Sequence, residues 1–149
     1  MDKRKLGQLE VSPIGMGCMG FSHGYGQVPE RRYSIQAIRE AYEFGCTFFD
    51  TAETYGDVLY YTGHNEEIVG EAVEPFRDKV VIATKLHIYD EELVEGYDLY
   101  KLVRSHLDAS LKRLRTDYVD LYYLHRVNEL VPNEDIAKVM GQLIDEGLI

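Results

Sequence analysis

The sequence predicts an α/β chain built on a parallel sheet, and two observations carry that expectation. Short apolar runs alternate with longer helical stretches four times over, the order of repeated βα units. The runs are apolar along both faces, as strands covered on both sides are. Each helix must cross over to bring the next strand in parallel. Such a sheet is either open and doubly wound or part of a closed (β/α)8 barrel. A full barrel needs about 250 residues, so the 149 residues here supply roughly half of one.

Taken in order, residues 5–11 alternate about Gly7 as a small hairpin would. Residues 14–21 are apolar but glycine-rich, and form the candidate first strand of the sheet. They contain a formal G-x-G-x-x-G at Gly15, Gly17 and Gly20. A dinucleotide-binding Rossmann reading needs a helix to open there, whereas residues 22–29 read as loop, which weighs against it. A helix over residues 32–44 follows, with Ile35, Ile38, Ala41 and Tyr42 at helical spacing and Gly45 as its stop. Residues 46–49 form the second strand, and Asp50 sits where that strand leaves the core.

A second helix is expected over residues 66–74, capped by Asn65 and limited by Pro75. The third strand, 80–84, ends in Lys85. The third helix has the clearest pattern: Leu99, Val103, Leu107, Leu111 and Leu114 make one stripe, while Lys101, Arg104, Asp108, Lys112 and Arg115 solvate the other side. The fourth strand, 119–124, ends in His125, and a last helix runs from Asn133 to Gly147.

Composition bounds the function. A 45% hydrophobic content without a low-complexity tract fits one soluble globular chain. The formal charge of -10, from 26 acidic and 16 basic residues, argues against nucleic acid and against an anionic membrane surface as partners. No apolar run approaches the roughly 18 residues of a membrane span, and the N-terminus leads into polar sequence, so a cytoplasmic location is expected. Cys18 and Cys46 lie in apolar surroundings and read as reduced core residues.

Asp50, Lys85 and His125 thus end three strands at one rim, with Tyr55 in the loop just beyond the first. Singly, each has an ordinary explanation: a turn aspartate, a snorkelling lysine, a satisfied core histidine, a packing tyrosine. Jointly they suit general acid catalysis on a carbonyl. An ammonium beside a phenol stabilises the charge that develops as the phenol gives up its proton. Asp50 can aim Lys85, and His125 can orient the substrate oxygen. His23, His64, His87 and His106 are scattered without metal-ligand spacing, and neither a G-x-S-x-G nor a P-loop is present.

These residues carry a resemblance. Residues 45–56, with Asp50-Thr51-Ala52-Glu53-Thr54-Tyr55-Gly56 at their end, resemble the aldo-keto reductase family, as do Asn65-Glu66 with Gly70 and Ala72, Ala83-Thr84-Lys85, and Asp120 to His125. The opening hairpin and the glycine run 15–20 resemble that family's first elements, so the likeness extends over essentially the whole chain. It implies the parallel (βα)4 half of a (β/α)8 TIM barrel preceded by a β-hairpin, with residues 1–149 as one partial domain that stops before strand five.

It implies Tyr55 as proton donor, Lys85 and Asp50 as the pair that tunes it, and His125 as the substrate-orienting residue. NADPH, or less often NADH, would deliver hydride to an aldehyde or ketone. Gly17, Cys18 and Met19, through their backbone, and Asp50 would lie beside the nicotinamide. The half of the family that supplies most remaining cofactor contacts has no counterpart in these residues. A reading from another class is therefore a catalytically silent half-barrel serving as a structural or self-associating module, its exposed sheet edges covered by a second copy.

Overall fold

The computed structural model describes residues 2–24 and 26–149; Met1, and Tyr25 in the expected loop 22–29, lie outside the described residues. An antiparallel hairpin comes first, β1 (Arg4–Leu6) and β2 (Leu9–Val11), turned by Gly7 at φ +60°. The sheet behind it has four parallel strands in sequence order: β3 (Met16–Gly17), β4 (Phe48–Asp50), β5 (Val81–Leu86) and β6 (Leu121–Leu124). Helices α1 (Arg31–Glu43), α2 (His64–Val73) and α3 (Leu99–Leu114) make the crossovers, and α4 (Asn133–Asp145) follows β6. Each helix packs on the next, α1 on α2, α2 on α3 and α3 on α4, so they form one row along the sheet.

Strand alternation decides what each face carries. Phe49, Ile82 and Leu86 are fully buried and join Ile38, Val69, Val73, Val103, Leu107 and Leu114 in one core between sheet and helices. Thr84 points the same way, since its hydroxyl donates to Glu66 of α2 at 2.6 Å. Asp50 and Lys85 stand at the alternate positions and meet each other instead.

Several boundaries differ from expectation for identifiable reasons. The first sheet strand is only two residues long, because at Met19–Phe21 the chain tightens into a 3₁₀ turn. Gly15 is there for space: a Cβ would come within 2.6 Å of the Phe48 ring. Helix α2 begins at His64 behind Gly63, at φ +89°, so Asn65 is not its cap. Asn65 is wholly buried and donates to the Cys18 carbonyl and Ser22 Oγ while accepting from Thr51 Oγ1. Three buried hydrogen bonds outweigh the single bond that a cap offers.

Beyond α2, the segment Glu74–Lys79, with Pro75 in its first turn, is 3₁₀ with a kink at Phe76. Strand β5 runs through Lys85 to Leu86 rather than stopping at residue 84. Strand β6 begins at Leu121, two residues late, because Asp120 turns its carboxylate to the Ile82 amide and to Arg77. Helix α4 stops at Asp145, with Gly147 in the left-handed region at φ +74°.

Gly70 sets the closest helix approach, since a Cβ would lie 2.5 Å from the Arg113 carbonyl oxygen and 2.7 Å from the Leu114 backbone. Overpacking of about 1–3 kcal/mol exceeds the helix-propensity gain of up to about 1 kcal/mol from alanine. Gly70→Ala is expected to lower the unfolding free energy by about 1–2 kcal/mol in urea titration; an unchanged or raised value contradicts this packing.

Candidate active site

Strand β4 delivers Asp50 as its last residue, and the loop behind it delivers Thr51, Thr54 and Tyr55. Strand β5 delivers Lys85 one residue before its end. His125 follows β6 directly and extends the ladder, its amide donating to the Leu86 carbonyl at 2.8 Å. All four expected groups therefore converge where the parallel strands end.

Lys85 is the hub. Its Nζ donates to Asp50 Oδ1 at 2.6 Å, to the Thr51 carbonyl at 2.7 Å and to Tyr55 Oη at 3.1 Å. An ammonium has three donors, and all three are spoken for. The Lys85 side chain is 14% exposed and Asp50 29%, so the pair stands at the boundary of core and solvent, where charge attraction is stronger than in water without the full cost of burial.

The His125 ring meets the Tyr55 ring edge-on at 5.6 Å, and its Nδ1 is 3.2 Å from Thr54 Oγ1. Burial, with Lys85, Arg126 and His87 nearby, lowers its pKa below the ordinary imidazole value, against a weaker opposing pull from Asp50. His125 is therefore neutral near pH 7. A cleft of about 440 Å³ opens in front of these groups, lined by Met19, Thr54, Tyr55, His87, Tyr89 and His125 among others.

On the neighbouring strand, Gly17 is exposed and pairs in register with Asp50, and a Cβ on it would meet nothing within 4 Å. The Cys18 amide donates to the Asp50 carbonyl at 2.8 Å. The Cys18 side chain is fully buried, and burial pushes its thiol well above the ordinary range, so it is its backbone amide that meets Asp50. Met19 lines the cleft itself.

Three participants escaped sequence reading. Thr54 lies inside the quoted motif but had no role until His125 came beside it. His87 enters the cleft from the loop after β5, its ring 6.4 Å from His125. Glu53, two residues before Tyr55, is 2% exposed and accepts from the His87 amide at 2.5 Å. A carboxylate that close to the rim, inside a run that reads as a turn, was the available signal.

A parallel half-barrel with an acid, an amine, a phenol and an imidazole gathered at its strand ends defines the class of arrangement seen here. The Aldo/keto reductase family model matches residues 13–149, so the chain belongs to that family. It is 40% identical over 152 residues to a probable aldo-keto reductase 1 of Glycine max, covering 97% of this chain and 42% of that protein. It is 39% identical over 145 residues to the aldo-keto reductase YhdN of Bacillus subtilis, covering 95% and 42%.

Among solved structures, the holo form of aldo-keto reductase AKR11C1 from Bacillus halodurans superposes with a TM-score of 0.81 at 32% identity, over 100% of this chain and 48% of that one. An aldo-keto reductase from Klebsiella pneumoniae in complex with NADPH gives 0.74 at 31%, over 95% and 44%. The chain thus spans about half the length of the relatives it matches, and its fold is the (βα)4 half of their barrel, preceded by a hairpin.

Because Lys85 contributes to holding down the affinity of His125 for its proton, His125 is expected to titrate below the usual imidazole value of about 6.5 by NMR, and its midpoint to rise in Lys85→Met. A midpoint that stays put in the variant contradicts the electrostatic coupling.

Proposed function

We propose that the chain carries the acid–base half of an oxidoreductase that reduces a small aldehyde or ketone to an alcohol, with NADPH, or NADH, as hydride source. The observation that carries this reading is the Lys85 ammonium, held by Asp50 and the Thr51 carbonyl and donating to the Tyr55 hydroxyl beside an open cleft. Family membership supports the same chemistry.

In this reading Tyr55 gives its proton to the carbonyl oxygen, and Lys85, 3.1 Å away, stabilises the charge left on the phenol oxygen. Asp50 keeps Lys85 aimed. With the Thr54 hydroxyl donating to Nδ1, Nε2 of His125 carries the ring proton and can donate it to the substrate oxygen. The residues present fit the nicotinamide end of a dinucleotide: Gly17 is open, the backbone of Cys18 and Met19 runs beside it, and part of Asp50 faces out. When bound, the reduced nicotinamide supplies the hydride that no side chain here can. Two buried free thiols suit a reducing cytoplasm.

A second reading has its own observation. Strands β3 and β6 are the sheet's two edges, and an open edge is a template for pairing. A silent half-barrel that self-associates through these edges would bind no NADPH, whereas saturable NADPH binding in calorimetric titration favours the enzyme. Tyr55→Phe is expected to cut aldehyde reduction by about 10²–10⁴-fold with an unchanged circular dichroism spectrum; retained turnover assigns the acid elsewhere.

A further inference from the structure

Behind the site lies a second set of charges that the proposed chemistry does not use. His106, on the third turn of α3, is mostly buried and has a carboxylate on each ring nitrogen: Glu53 Oε2 stands 2.9 Å from Nδ1, and Glu92 Oε1 stands 2.9 Å from Nε2. An ionised carboxylate only accepts hydrogen bonds, and a neutral imidazole has one donor and one acceptor. Only the doubly protonated ring satisfies both carboxylates at once. A neutral ring would turn a lone pair toward one of them in a buried place, where an unmade bond is costly.

Glu53 connects this ring to the catalytic loop. Its Oε1 accepts from the His87 amide, at the start of the loop after β5, and its carbonyl accepts from Gly63 N at 2.6 Å. The next residue, Thr54, meets His125, and the one after it, Tyr55, meets Lys85. Glu92 lies in the short 3₁₀ turn Asp90–Glu92 and also accepts from the Tyr89 amide. His106 therefore ties the loops after β4 and β5 to the same helix.

We infer that His106 is a positioning residue for the loop that carries Tyr55: bridging Glu53 and Glu92 as an imidazolium, it holds Thr54 and Tyr55 in place against His125 and Lys85, and it loosens them when it loses its proton. The inference rests on the reading of Tyr55 as the acid only for its catalytic meaning; the clamp itself is independent of it.

The surroundings agree in sign. Burial is the largest influence on His106 and favours the neutral ring, but Glu53 and Glu92 together outweigh it and raise the pKa above the ordinary imidazole value. The other groups facing the cluster are Arg113 of α3, 3.9 Å from Glu53 Oε2 and paired at 2.6 Å with the buried Glu66 of α2, and the phenols Tyr122 of β6 and Tyr89. The Arg113 cation opposes a charged His106, and the phenols stay neutral throughout, Tyr89 being pushed up to about 12. With the folded pKa above the unfolded value of about 6.5, the clamp's contribution is fully present below that value and is lost as pH rises through the folded one.

The test is an NMR titration of the isotopically labelled chain from about pH 5.5 to about pH 9. At pH 6.5 both His106 ring nitrogens are expected to carry protons. Above it the ring signals of Tyr55 are expected to move in step with His106 deprotonation, at a midpoint above that of His125, which titrates lower. In His106→Gln, whose amide cannot titrate, that step is lost. Tyr55 signals that ignore the wild-type His106 titration, or a neutral His106 at pH 6.5, would overturn the inference, and the wild-type titration decides even where the variant does not fold. Absence of carbonyl reduction with the step present would sink the proposed function and leave the clamp standing.

Discussion

The rim of this half-barrel depends on one side chain's three donors. Lys85 reaches up from inside a parallel strand and ends on a carboxylate, a backbone carbonyl and a phenol supplied by the neighbouring strand and its loop. A charged amine at that depth is tolerable only because every donor is met and a countercharge lies 2.6 Å away. The register of β4 against β5, which pairs Asp50 with Ala83, brings Lys85 within reach of Asp50 across two alternate positions. Sheet pairing and site geometry are thus one constraint.

The helices beneath the strand ends extend that constraint. Glu66 is completely buried, and burial raises its pKa; Arg113, Thr84 and Ser110 oppose the shift. Asn65, its neighbour, spends its side chain on the β3 and β4 ends. The same turn of α2 therefore fastens the strand ends around the loop after β4, while Gly70 lets α3 close in from the side. Buried polar groups in this domain are concentrated behind the rim, each with a partner except the Tyr122 hydroxyl among the described residues.

How much of this could be read from the chain depends on the range of the contacts involved. Asp50, Lys85 and His125 were legible because each ends an apolar run, and a parallel sheet places all run ends on one side. Tyr55 was legible through its motif. The strand lengths were not, because Lys85 continues the ladder as any residue can and Asp120 ends it early by turning its side chain inward. Asn65 looked like a cap because caps are local, but its partners lie 14 to 47 residues away. Glu53 and His106 are 53 residues apart, and nothing in either neighbourhood announces the other.

In the function proposed here, Lys85 acts through Tyr55, 3.1 Å away. A double-mutant cycle on aldehyde reduction with NADPH tests it most directly, comparing Lys85→Met, Tyr55→Phe and the double variant in the intact chain. The large loss caused by Lys85→Met in the wild type is expected to disappear in the Tyr55→Phe background, because the ammonium has no phenol left to serve. Losses that multiply would contradict it, and would mean that Lys85 and Tyr55 do separate work.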